Sequence, residues 1–110
     1  MNKQISAVEA SILRKNEEAT LLDVREASEL AICKIEGALH IPLSEIPDRY
    51  DALPKDQPII VFCHHGMRSL NVQNFLISKG FDNIINMQGG IHAWSLDVDS
   101  QVARRRDIDG

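Results

Sequence analysis

Seven consecutive residues, Cys63-His64-His65-Gly66-Met67-Arg68-Ser69, hold the side chains best suited to covalent chemistry. They follow the apolar run Ile59-Ile60-Val61-Phe62, which reads as a strand buried on both faces, as in a parallel sheet. Ligands in open α/β sheets bind beyond the carboxyl ends of strands, and Cys63 stands at such an end. If the loop folds back, successive backbone N–H groups converge on the sulfur as an anion nest. A helix expected to start near Ser69, with Ser69 as its N-cap, adds unpaired amides and a partial positive charge. Arg68 adds a full charge, and Gly66 can adopt a backbone conformation that other residues resist. All of these favour thiolate over thiol, the reactive form of cysteine. An inert core cysteine is the alternative, and the position before a Gly-x-Arg-Ser loop speaks against it. This pattern predicts an activated nucleophile without naming its substrate.

The remaining candidates are weaker. Cys33 lies between Ile32 and Lys34 with no anion-binding signal, so packing is favoured over a role as a resolving thiol. His64 and His65 beside Cys63 suggest a metal, yet three near-adjacent residues rarely supply spaced tetrahedral ligands, and no second cluster has zinc spacing. No metal and no cofactor are expected, and the two imidazoles are read as lining the pocket mouth. His40 and His92 are assigned to strand-end and helix packing, and Trp94 to the core. Asp23 and Arg25 end a neighbouring strand. They could be catalytic, but a structural ion pair or cap bracing the active-site loop is preferred. Arg104, Arg105 and Arg106 are read as a solvated run.

The elements that must position this loop are legible from pattern. Ser6-Ala7-Val8-Glu9 is a capping box opening a helix of about 6–16. Thr20–Val24 reads as a buried strand, Glu26–Leu30 as a short helix, and 38–41 as an extended stretch stopped by Pro42. Residues 43–53 read as a helix broken near Pro47. The helix after the loop carries Leu70, Val72, Phe75 and Leu76, with Gly80 suited to its C-terminal cap. Residues 84–87 give a last strand, and Gly89-Gly90 leads into a short helix with Ile91 and Trp94. From about Asp97 the chain reads as a polar tail. Alternating strands and helices predict an α/β domain with a mostly parallel central sheet flanked by helices.

Composition sets outer bounds. At 110 residues, 44% hydrophobic and 25% charged, the chain has room for one domain with one sizeable core. No internal repeat or linker is visible. A net charge of -4 argues against a nucleic-acid binder. The start has no signal-peptide core, and no run approaches the roughly 20 apolar residues of a membrane span. A cytoplasmic protein with reduced thiols is expected.

The loop Cys63–Ser69 resembles the active-site loop of rhodanese domains. Leu22-Asp23-Val24-Arg25-Glu26 resembles their first signature, Ile35-Glu36-Gly37-Ala38-Leu39-His40-Ile41-Pro42 the second, and Gly89-Gly90-Ile91-His92-Ala93-Trp94 the closing one. Order and spacing agree over about residues 5–96. The family usually has Gly-His where this chain has Cys33 and Lys34, a departure that touches loop packing and leaves the nucleophile alone. The loop and the closing motif look especially like rhodanese domains fused behind sulfur-carrier adenylating enzymes. The resemblance implies a three-layer rhodanese-like domain and a sulfurtransferase with Cys63 as the persulfide carrier. It implies loop groups from His64 to Ser69 that bind the substrate, with Arg68 holding an anionic donor. Thiosulfate or a persulfide would be the donor and cyanide, a thiol or a partner protein the acceptor. A persulfide relay and a non-catalytic interaction module are the alternatives. The fold is shared with cysteine phosphatases and arsenate reductases, but their loops read Cys-x5-Arg, one residue longer than the spacing from Cys63 to Arg68.

Overall fold

A computed structural model describes residues 3–102. Five parallel strands form one sheet in the order β1-β5-β4-β2-β3, with β1 at Lys3–Ile5, β2 at Thr20–Asp23, β3 at Leu39–His40, β4 at Ile59–Phe62 and β5 at Ile84–Met87. The parallel sheet expected from the apolar run at β4 is present, and all four residues of β4 are buried. Because side chains alternate along a strand, Ile60 and Phe62 enter one core and Ile59 and Val61 the other.

Helices α1 (Ala7–Lys15) and α5 (Gly90–Asp97) cover the first face through Ala7, Ala10, Ile91 and Trp94. The second face is covered by α3 (Ile46–Arg49) and α4 (Met67–Ser78), which contribute Ile46, Val72 and Leu76. The expected three layers are therefore observed. Each fully buried aliphatic side chain contributes about 1.5–3 kcal/mol through the area it removes from water, so two complete cores hold the sheet as a rigid platform for the loops at its carboxyl end.

Local signals explain most boundaries. Glu9 N–H donates to Ser6 Oγ at 3.0 Å, and Ser6 N–H to Glu9 Oε1 at 2.9 Å, which closes the capping box before α1. The short helix α2 spans Ala27–Leu30. Residues 43–53 divide into a 3-10 turn at Leu43–Glu45, α3 with Pro47 in its first turn, and a second 3-10 turn at Tyr50–Ala52.

Two expectations need correction, and one element was unforeseen. The helix after Cys63 starts at Met67 and not near Ser69, with Gly66 as its N-cap at φ 118°. A left-handed glycine there turns the chain into the helix sooner than a serine cap could. The edge strand β1 was not foreseen, since three residues are too few for a periodicity signal. The chain also stays ordered past Asp97. Val98 and Asp99 N–H groups donate to the Trp94 carbonyl, and Val102 packs against the first core. The arginine run 104–106 lies outside the described residues. No helix among the described residues is long and apolar enough to cross a membrane.

Candidate active site

Cys63 sits one residue past β4, between the ends of β2 and β5. Its neighbours on one side are apolar residues of the second core. On the other side the loop folds back as expected. Gly66 N–H donates to Sγ at 3.1 Å and Ser69 N–H at 3.4 Å. Both amides belong to the first turn of α4 or its cap, where N–H groups lack intrahelical partners. The sulfur thus completes the helix terminus, at the end of the helix dipole that carries partial positive charge. Cys63 itself is 1% exposed.

Ser69 has a different role from the cap expected of it. It is fully buried, and its hydroxyl lies 2.6 Å from Asn86 Oδ1, 3.2 Å from the Gly66 carbonyl and 3.5 Å from Sγ. Asn86 Nδ2 donates to Gln4 Oε1 at 3.2 Å, which turns Oδ1 toward Ser69. One hydroxyl proton serves this oxygen best, so in the thiol form S–H donates to Ser69 Oγ while Ser69 donates to Asn86.

Arg68 does not face the sulfur as a free cation. Its guanidinium forms a two-pronged pair with Glu29 of α2, Nη1 to Oε1 at 2.7 Å and Nη2 to Oε2 at 2.9 Å. These hydrogen bonds hold the Glu29 carboxyl down at about 2, and Glu29 raises Arg68 in return. Much of the positive charge expected at the loop is therefore balanced. Met67 is 72% exposed at the helix start.

Asp23 and Arg25 do form a buried ion pair, with 2% exposure of each side chain and Arg25 Nη2 2.8 Å from Asp23 Oδ2. Arg25 also donates through Nη2 to the Cys33 carbonyl at 3.0 Å, and Nη1 lies 4.0 Å from Cys33 Sγ. Burial works against the Arg25 charge, but the hydrogen bonds and attraction of Asp23 outweigh it and hold its pKa above the ordinary value. These bonds secure segment 23–33, which carries Glu29. The pair reaches the Cys63 loop through Glu29 and Arg68. His40 Nε2 reaches the Arg25 carbonyl at 2.7 Å and steadies the same segment.

His92 was assigned to helix packing, yet it is exposed and stands beside the loop. Gly90 explains how. A Cβ at Gly90 would lie 2.3 Å from the Cys63 carbonyl oxygen and 2.4 Å from that of His64, so only glycine permits the approach. The contact is secured by Ile91 N–H to the Cys63 carbonyl at 2.8 Å and His92 N–H to that of His64 at 3.1 Å. Ring centroids of His64 and His65 are 4.2 Å apart, and His92 lies 6.0 and 5.0 Å from them. Burial, reinforced by His65 and His92, lowers the His64 pKa. The Gly-Gly pair at a strand-to-helix junction was the available signal for this docking; the Glu29 and Asn86 contacts had none.

A buried cysteine at a strand end, cradled by the first turn of the next helix, can be compared with known proteins. Residues 6–97 match the rhodanese-like domain. This chain belongs to that family. A protein of Allochromatium vinosum named sulfurtransferase is 35% identical over 83 residues, 76% of this chain and 78% of its own length. The thiosulfate sulfurtransferase GlpE of Coxiella burnetii is 32% identical over 94 residues, 86% of this chain and 88% of its own. The crystal structure of a rhodanese-related protein from Thermoplasma volcanium superposes on this rhodanese-like domain with a TM-score of 0.80 at 34% identity, covering 87% of this chain and 93% of that one.

Proposed function

We propose that this rhodanese-like domain is a sulfurtransferase in which Cys63 carries sulfur as a persulfide. The Cys63 thiolate attacks the sulfane sulfur of thiosulfate; a new S–S bond forms, the old one breaks, and sulfite leaves with the electron pair. A persulfide donor reacts in the same way and releases its thiolate. An acceptor thiolate or cyanide then attacks the outer sulfur, and the Cys63 thiolate is the leaving group. The two-step route divides one difficult transfer into two easier ones. The observation that carries this reading is the pair of backbone amides aimed at Sγ, which stabilise the anion present at the start and end of each cycle. Cys63 is 1% exposed, and access so restricted favours a small donor.

A phosphatase reading is less well supported. The loop is one residue shorter than Cys-x5-Arg, and Arg68 is paired with Glu29 instead of facing the cradle. The deciding experiment is incubation with thiosulfate followed by intact mass measurement. Wild type is expected to gain one sulfur and Cys63→Ser none. Absence of a gain on wild type, with cysteine persulfide as well as thiosulfate, would leave only an interaction module.

A further inference from the structure

Three histidines, two from the loop and one from α5, gather at the loop mouth. We propose that His64, His65 and His92 form a binding site for one divalent transition-metal ion of the zinc type. Each offers one ring nitrogen, and the three ligating atoms lie within 4.8 Å of one another. Two imidazole nitrogens on a common tetrahedral zinc, each about 2.1 Å from the ion, are about 3.4 Å apart. Small side-chain rotations close the difference, and two of the three residues, His65 and His92, are exposed and able to make them.

Three further features support the assignment. Near-adjacent His64 and His65 do not have to surround the ion alone, because the third donor comes from α5 and not from the Cys63 thiol. The backbone around the cluster is fixed, with His92 N–H on the His64 carbonyl and Gly90 packed against the loop. The ring nitrogens are also uncommitted. The His40 ring has a carbonyl partner, whereas among the described residues no hydrogen bond ties the rings of His64, His65 or His92 to the protein. Imidazole donors suit zinc, copper and nickel, and three of them leave a coordination position open to solvent. An ion held there would link the loop after Cys63 to α5.

Zinc titrated into the untagged full chain against a chromogenic chelator tests the site, with cobalt absorption reporting the ligand geometry. One ion per chain is expected. Loss of an outer-shell partner typically weakens metal binding about 10–100-fold, so His65→Ala and His92→Ala, which remove direct donors, should each weaken it at least tenfold. His40→Ala and Cys63→Ser should retain wild-type affinity, with folding of every variant checked by circular dichroism. The proposal is overturned by the absence of saturable binding to wild type, by unchanged affinity in both His65→Ala and His92→Ala, or by loss of binding in Cys63→Ser.

Discussion

Both cysteines of the described structure lie near an arginine, yet their surroundings differ in kind. Cys33 is half-buried, with its sulfur 4.0 Å from a guanidinium already paired with Asp23. Cys63 is fully buried, its nearest arginine faces Glu29, and its sulfur receives two backbone amides instead. Proximity to a formal cation therefore does not set Cys63 apart from Cys33. A guanidinium held by a carboxylate has little charge left to share, whereas helix-terminal amides have no competing partner. Oriented dipoles in a buried setting, where the dielectric is low, also act more strongly than in water.

The largest effect should come from exchanging the sulfur at each place. Cys63→Ser should abolish persulfide formation from thiosulfate, while Cys33→Ser should leave the rate within about twofold, the range of substitutions away from special features. Equal losses in the two variants would mean that Cys33 takes part as a second thiol, and the contrast drawn here would fail. Next in size is the buried pair beside Cys33. Asp23→Asn leaves the Arg25 charge uncompensated and should lower folding stability by about 3–5 kcal/mol in a denaturant titration. Exchanging both partners for apolar residues should cost less, because no orphaned charge remains. A small loss in Asp23→Asn would show that the pair contributes little to the architecture.

Ser69→Ala is a finer test of the Cys63 side. Removing the hydroxyl leaves buried Asn86 Oδ1 without its 2.6 Å donor, which should cost about 1–3 kcal/mol in stability. The two backbone amides on Sγ stay, so the rate of persulfide formation should fall by no more than about tenfold, the equivalent of one hydrogen bond. A loss as complete as that of Cys63→Ser would move the principal stabilisation from the backbone to the hydroxyl.

The layers, the parallel sheet and the strand-end position of Cys63 were legible because each depends on neighbours in sequence. The run Ile59–Phe62 signals burial on both faces, and Ser6 with Glu9 signals a helix start. The contacts that refine the site join distant positions. Glu29 meets Arg68 across 39 residues, and Ser69 meets Asn86 across 17. No local pattern encodes such pairs. The misplaced helix start has another cause. Serine is a frequent N-cap, but a left-handed Gly66 reaches the helical path three residues earlier and leaves Ser69 facing inward.

The smallest expected effect concerns Glu29 and works through pH. Its carboxyl is lowered from 4.5 to about 2 in the folded protein, first by the hydrogen bonds of Arg68. A folded pKa below the unfolded one means that the unfolded state binds the proton more readily. The stabilisation is therefore fully present above about pH 5 and is lost as pH falls toward 2. With about a third of the side chain exposed, solvent screening reduces its worth to about 1 kcal/mol. Melting temperatures of wild type and Glu29→Gln, measured between pH 7 and pH 2, isolate this contribution because the other carboxylates cancel in the difference. The gap should be widest near neutrality and close on acidification. A gap that stays constant would mean that the Arg68 pair adds no pH-dependent stability, and that the arginine is free to serve the sulfur site after all.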